Sequence, residues 1–152
     1  MNNFYQVQKE DYRISTDPSL LQLEVIHQYL SKESYWAQNI PFETVKKSIE
    51  HSLCFGVYRL QEQVGFARLI TDQTSFAYLC DVFILPAWQG KGLSKWLIQS
   101  MQEHPELQSL RVWMLRTKDA HGLYEQFGWK NLDDDQCKRV MQKYNPDVYK
   151  QQ

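Results

Sequence analysis

An apolar run, a glycine loop and an amphipathic segment follow one another in residues 81–101 and constrain the fold of this 152-residue chain most strongly. The run 81–85 is β-prone, Pro86 ends it, and the loop 89–92 leads into apolar residues at helical spacing. This order predicts a strand, a glycine turn and a helix that begins near Gly92. The first N–H groups of such a helix have no partners within the helix and lie at the positive end of its dipole. The loop is therefore a candidate anion-binding site.

Composition and charge limit the classes of function. Hydrophobic residues make up 43% of the chain, which is enough for one well-buried core, so residues 1–152 are expected to form a single domain. The net charge is -1 and the two signs are interspersed, which argues against nucleic acid and against an anionic membrane as partners. No run approaches the ~20 apolar residues that span a bilayer. The composition predicts a soluble protein.

Three cysteines, Cys54, Cys80 and Cys137, lie far apart and belong to no CxxC or Cys/His ligand spacing. This pattern argues against a disulfide framework and against a zinc site, so no metal is expected. The first residues of the sequence have neither the basic nor the apolar region of a secretion signal. Free thiols suit a reducing compartment, and we expect a cytoplasmic protein.

Patterns before the loop predict both helices and strands. A first strand is expected within residues 4–14, a helix from Asp17-Pro18 and a second helix from Pro41. His27 lies near the apolar face of the first helix, where packing is the expected role. Apolar runs between residues 53 and 84, separated by short polar turns, predict three antiparallel strands. Tyr35 and Trp36, between the two helices, either fill the core or line a substrate pocket.

Patterns after the loop predict an α/β arrangement. The helix is expected to end near Pro105, and residues 110–115 read as a strand. A strand, a helix and a strand in this order imply a parallel crossover. A short amphipathic helix follows, with Gly128 at its end. One or two final strands are predicted from Trp129 onward.

Two segments carry a family resemblance. Gln89-Gly90-Lys91-Gly92-Leu93-Ser94 resembles the Q/R-x-x-G-x-G/A signature of the GNAT acetyltransferase superfamily, and the segment from Ala120 to Trp129 resembles its A-x-x-L-Y-x-x-x-G-F motif. The two lie in the expected order, with one helix and one strand between them. Ser94 replaces Gly or Ala, and Thr117 stands where many members have asparagine.

The resemblance implies a fold and a cofactor. The expected fold is a mixed, mostly antiparallel sheet of six to seven strands flanked by about four helices. The expected cofactor is acetyl-CoA, with its pyrophosphate on the N–H groups of the glycine loop and its pantetheine arm alongside the fourth strand of the family. The implied cofactor-binding residues are Phe83, Ile84, Gln89, Gly90, Lys91, Gly92, Leu93 and Ser94.

The resemblance also implies catalytic roles. A backbone N–H near Ile84 is the expected oxyanion donor, and Tyr124 matches the family tyrosine that protonates the departing thiolate; a core aromatic explains Tyr124 equally well. Asp81 is the candidate general base, because it is the one carboxylate in the strand that borders the cleft. A structural role for Asp81 stays open, since it lies opposite Ile84 in strand alternation unless a bulge intervenes. Glu125, His121 and a water chain are the other candidates.

The resemblance implies transfer of an acetyl group to a primary amine, expected to be that of a small molecule, through direct attack on the thioester. Two alternatives remain at this level. One is a non-catalytic module that binds or senses acyl-CoA, and the other is a protein or peptide N-acetyltransferase. Tyr35 and Trp36 are the candidate acceptor-binding residues. Dimers are common in the family, so a homodimer is compatible with the resemblance.

Overall fold

A computed structural model describes residues 3–150 and shows one sheet of six strands in sequence order. The strands are β1 (Gln6–Lys9), β2 (Tyr12–Ser15), β3 (Leu53–Arg59), β4 (Glu62–Thr71), β5 (Phe76–Ile84) and β6 (Val112–Leu115). Strands β1 to β5 pair antiparallel, and β6 pairs parallel with β5. The predicted mixed, mostly antiparallel sheet and the parallel crossover are confirmed.

The described part of the chain contains five α-helices, of which the first four contribute buried side chains to the core and the fifth contributes none. They are α1 (Leu23–Gln28), α2 (Phe42–Glu50), α3 (Leu93–Gln102), α4 (His121–Glu125) and α5 (Asp134–Cys137). Two buried clusters divide the core. The larger cluster includes Phe55, Leu97 and Met101, whereas the smaller one includes Ile26 and Phe83. Because strand side chains alternate between faces, the sheet covers both clusters at once. Between residues 3 and 150, no helix is long and apolar enough to cross a bilayer.

The N-terminal predictions need two corrections. The segment 4–14 forms two strands, because Glu10 adopts a left-handed φ of 55° and turns β1 back as β2. Asp17 caps only a 3₁₀ turn, and α1 begins at Leu23. Gln22 is extended between the two, since its N–H donates to Gln63 Oε1 at 2.7 Å. The helix from Pro41 is confirmed as α2.

The prediction of final strands from Trp129 is wrong. Residues 129–150 contain no strand, and the only regular element there is the single turn of α5, held by a capping box at Asp133. The apolar side chains expected to build a strand, Val140 and Tyr144 among them, are exposed. They have no sheet face to cover, so no packing stabilises a strand in this segment.

A β-bulge in β5 interrupts its pairing with β4. Phe66 pairs with Phe83, whereas Arg68 pairs with Cys80, so β5 carries one extra residue between these pairs. Asp81 lies in the bulge with a left-handed φ of 55°. Such a bulge bends and twists its strand. It turns the Asp81 side chain towards the face of the smaller cluster, to which Phe83 also belongs.

Candidate active site

The cleft lies where the parallel strands β5 and β6 separate. Their pairing stops at Leu79 and Leu115, although β5 continues to Ile84. After Leu115 the chain leaves the sheet and leads to α4. The last residues of β5 therefore have one edge without a strand partner, and this edge offers backbone groups to a ligand.

The edge of β5 that faces the cleft belongs to Ile84. Leu85 donates its N–H to the carbonyl of Val64 in β4 at 2.8 Å, so in an antiparallel ladder Phe83 also directs its backbone to β4. Ile84 is directed away from β4 into the cleft. Its carbonyl accepts a 2.9 Å hydrogen bond from Gln89 Nε2. The Ile84 N–H is the backbone donor that this register leaves available for a ligand, and the Gln89 side chain anchors the glycine loop to β5.

The glycine loop is open at both glycines. Gly90 and Gly92 have φ values of 79° and 81°, which L side chains rarely adopt. No heavy atom lies within 4 Å of where a Cβ would stand on either of them. The first backbone hydrogen bond of α3 runs from Trp96 to the Gly92 carbonyl, so the N–H groups of the preceding turn point to the open side. Lys91 is exposed beside them.

Two other motif residues differ in their surroundings. The Leu93 side chain is buried in the larger cluster, so this residue offers only its backbone to a ligand, and Ser94 is half-buried. The residues present fit a phosphate group, because the loop combines free N–H groups, a lysine and unobstructed space.

Tyr124 lies in α4 and is buried, with 8% of its surface exposed. Its ring packs against Trp129 at a centroid distance of 5.7 Å. Burial raises the pKa of Tyr124 to about 12, and the nearby Tyr35 adds to the rise. The phenol is therefore protonated at neutral pH. Helix α4 also carries two of the alternative candidates for the general base, His121 and Glu125, and both are exposed.

Asp81 forms a buried ion pair that sequence patterns did not reveal. Arg68 Nε donates to Asp81 Oδ2 at 2.8 Å, and the two side chains are 15% and 10% exposed. Trp36 Nε1 donates to Asp81 Oδ1 at 3.0 Å, and Arg68 Nη1 donates to Ser52 Oγ. Both carboxylate oxygens thus accept charged or N–H donors. This is the structural role that strand alternation left open for Asp81.

Aromatic side chains surround the ion pair. Trp36 packs edge-on against Tyr35, and Tyr29 stacks on Phe83 with a centroid distance of 4.1 Å. Tyr35 Oη accepts a 3.0 Å hydrogen bond from the Lys118 N–H. This bond joins the segment between α1 and α2 to the segment after β6. Tyr35 and Trp36 are both largely exposed. They therefore line a surface beside the cleft and do not fill the core.

The thiols of Cys54 and Cys80 and the ring of His27 pack within the fold. Burial, followed by the charge of Asp81, raises the pKa of Cys80 to about 12, and burial raises that of Cys54 to about 12. Both are therefore neutral thiols at physiological pH. His27 Nε2 lies 2.9 Å from the Ile40 carbonyl, and its ring packs on Phe42.

Comparison with known proteins identifies the family of this chain. The family model described as an acetyltransferase (GNAT) domain matches residues 15–143. A protein of Gibberella zeae, named provisionally as an acetyltransferase, is 36% identical, with 80% of each chain covered. The chain belongs to the GNAT acetyltransferase family.

Solved structures agree with this assignment. A crystal structure from Xanthomonas campestris, provisionally described as a GNAT-family acetyltransferase, is 45% identical with a TM-score of 0.87, covering 91% of this chain and 96% of that one. A provisionally described acetyltransferase from Deinococcus radiodurans is 18% identical with a TM-score of 0.70, covering 93% and 95%. The second similarity concerns the fold alone.

Proposed function

We propose that this protein is an acetyl-CoA-dependent N-acetyltransferase that acts on the primary amine of a small molecule in the cytoplasm. The observation that carries the proposal is the separation of β5 from β6 beside the open glycine loop. That separation leaves the Ile84 edge free, with a buried phenol on the neighbouring helix α4. Family membership supports acetyl transfer.

The donor site is assigned to the loop and to the β5 edge. The N–H groups of residues 91–94 would hold the pyrophosphate of acetyl-CoA, with Lys91 adding a point charge. The free edge at Ile84 would pair with the amide groups of the pantetheine arm, as a peptide strand pairs with an open sheet edge. When bound, acetyl-CoA supplies an acetyl group as a thioester, which an amine can attack directly.

Ile84 has a further role in this proposal. Its N–H is directed away from β4 and is fixed by the strand, so it can donate to the carbonyl oxygen as negative charge develops. A donor that is already oriented needs no reorganisation, and comparable donors contribute about 2.7–4 kcal/mol. The bulge at Asp81 sets the direction of this N–H.

Tyr124 is the proposed acid. A phenol with a pKa of about 12 would be poorly matched to a thiol in water, whose pKa is about 8.5. Burial raises thiol pKa values in this protein as well, as Cys80 in β5 shows with about 12. A thiolate released in a site shielded from water would likewise be more basic than in water, which would bring its pKa closer to that of the Tyr124 phenol and suit a general acid.

The geometry supports Asp81 as the residue that positions Trp36 and Arg68, in preference to the role of general base. The proton lost by the amine would then pass to solvent through a water chain, while Tyr124 gives its proton to the departing thiolate. An Asp81→Asn variant separates the two roles. If Asp81 is the base, turnover at neutral pH falls and the pH–rate profile loses its acidic limb, while acetyl-CoA affinity is kept. If Asp81 is a positioning residue, the profile keeps its shape and KM for the amine rises. The proposed role predicts the second result.

Turnover tests the proposal as a whole. Release of free CoA from acetyl-CoA would be measured against a panel of primary amines, amino acids and peptides with free N-termini. We expect release with at least one small amine. Tight binding of acetyl-CoA without release across the panel would instead establish an acyl-CoA-binding module. Release with peptides only would establish a peptide N-acetyltransferase.

A further inference from the structure

Tyr149 differs in burial from the other residues of the C-terminal segment. Every other residue from Lys130 to Lys150 is exposed, whereas Tyr149 is half-buried. It packs against the smaller core cluster, which includes Phe66 and Phe83. A large aromatic side chain near the end of a polar tail has thus inserted into the face of the sheet that carries the Asp81–Arg68 pair.

Contacts along the tail fix its course. The guanidinium of Arg116, directly after β6, lies 5.5 Å from the ring centroid of Tyr144. The turn that follows is closed by an ion pair between Lys150 Nζ and Asp147 Oδ1 at 2.7 Å, and by the Lys150 N–H donating to the Asp147 carbonyl at 3.0 Å. The tail therefore runs from the open end of β6 to the Phe83 face, and the closed turn holds Tyr149 against that face.

The ion pair is close enough to Tyr149 to affect its titration. Burial raises the pKa of Tyr149, the charge of Asp81 raises it further, and that of Arg68 lowers it. Trp36 contacts the same Asp81 carboxylate with its ring N–H. Trp36 thus contacts the ion pair directly, and Tyr149 packs on the same face of the sheet, near enough to the pair for its charges to act on the phenol.

We propose that Tyr149 is a specificity-determining residue that walls the acceptor site, so that the acceptor amine binds between Trp36 and Tyr149 beside the Asp81–Arg68 pair. This inference rests on the proposed acetyltransferase function. Rigid aromatic walls favour an amine on a flat aromatic or compact apolar body. Arg68 already neutralises the one carboxylate in the site, which disfavours polyamines.

Chemical labelling of Cys80 tests the wall without any acceptor. Cys80 is half-buried in β5, next to Asp81, and its thiol lies 3.6 Å from the Arg68 carbonyl oxygen. In a Cys137→Ser background, which removes the exposed thiol, the rate of maleimide labelling of Cys80 would be followed by mass spectrometry. Tyr149→Ala should label several-fold faster than the parent. Tyr149→Phe, which keeps the ring, should label at the parental rate.

Val148→Ala is the matched control, because it shortens an exposed neighbour in the same tail. Thermal unfolding of each variant would confirm that the fold is intact. Equal labelling rates in Tyr149→Ala and Val148→Ala would overturn the proposal that Tyr149 walls the acceptor site. Acetylation provides the second measurement, with 2-phenylethylamine and ethylamine as probes. Tyr149→Ala should lower the ratio of their kcat/KM values roughly 3- to 10-fold, without changing the Kd of acetyl-CoA.

The two measurements separate the wall from the proposed function. If the parent acetylates no amine, the acetyltransferase proposal and the specificity role fall together, while faster labelling of Tyr149→Ala still establishes the wall. If the parent is active and Tyr149→Ala leaves the ratio unchanged, Tyr149 does not determine specificity. A change in the ratio by Val148→Ala of the same size as that by Tyr149→Ala would also overturn the role.

Discussion

The proposed donor half of the cleft and the proposed acceptor half are built in opposite ways. The donor half comes from one continuous stretch, residues 83–94, and offers mainly backbone N–H groups in open surroundings. The acceptor half combines Trp36, Arg68, Asp81 and Tyr149, which come from separate parts of the chain. A contiguous turn can be recognised from its own residues, whereas an assembled site depends on the packing of the whole molecule.

The two halves also differ in what a substitution should change. Backbone groups at a helix N-terminus persist when side chains change, so only the glycine positions are sensitive. The acceptor half relies on charges removed from water, where the loss of one partner leaves the other uncompensated. Damage to the donor half should therefore appear in acetyl-CoA affinity, and damage to the acceptor half in stability and in the KM of the amine.

The largest effect is expected from Arg68→Ala. The substitution leaves Asp81 buried without its partner, and the free energy of unfolding should fall by about 3–5 kcal/mol. Urea denaturation would measure the change. Arg139→Ala is the control, because its 2.8 Å ion pair with Asp135 joins side chains that are 76% and 72% exposed; it should change stability by about 0.5 kcal/mol or less. Equal losses in the two variants would contradict a buried pair.

Tyr124→Phe probes the point where the two halves meet. The ring and its packing on Trp129 are kept, and only the phenolic proton is lost. We expect kcat to fall about 100-fold or more, as for other general acids, while the Kd of acetyl-CoA stays the same. Steady-state kinetics with calorimetric titration would measure both. An unchanged kcat would show that Tyr124 is a core aromatic side chain and not the acid.

Gly92→Ala should affect the donor half alone. Its left-handed φ of 81° would cost an alanine about 1–2 kcal/mol, and the new methyl group would occupy the space assigned to the pyrophosphate. The Kd of acetyl-CoA should rise about tenfold, which corresponds to about 1.4 kcal/mol. Gly128→Ala carries similar strain at a φ of 91° but lies at the end of α4. It should lose similar stability and keep its Kd; a parallel loss of affinity would point to a general effect on the fold.

The smallest effect is expected from Trp36→Phe, which removes one hydrogen bond to Asp81. Stability should fall by about 0.5–1.5 kcal/mol, and the KM of the amine should rise a few-fold with an unchanged Kd for acetyl-CoA. Phe76→Leu is the control, since Phe76 is 39% exposed, as Trp36 is 40% exposed, and lies at the far end of β5. If both variants behave alike, the acceptor site does not use Trp36.

The fold and the conformation of the glycine loop were predictable because their signals are local. Glycine turns, proline breaks and changes of period marked β3 to β6 and α3 closely. The errors arose where distant contacts decide the structure. Gln63 holds Gln22 extended and delays α1. The residues after Trp129 have no sheet face to cover, so they form no strand.

The Asp81–Arg68 pair of the acceptor half could have been predicted by counting residues outward from the turn between β4 and β5. The turn at residues 72–75 sets the register of β4 and β5 and places Arg68 opposite Cys80, next to Asp81. Two opposite charges inside neighbouring apolar strands then indicate a buried pair. Tyr149 has no such signal, because nothing in a polar tail of this length indicates which side chain returns to the sheet.

The extra residue in β5 determines how one strand can serve both halves. Without it, strict alternation would place every second side chain of the strand on one face from Ala77 to Ile84. The bulge restarts the alternation, so that Leu79 and Ile84 face the larger cluster although they are five positions apart. Deletion of Val82 would remove the bulge: Phe83 and Ile84 would keep their partners Phe66 and Gly65, whereas Asp81 would come opposite Ala67 and turn to the larger cluster. The length of this one strand therefore determines on which side of the sheet the Asp81 carboxylate lies.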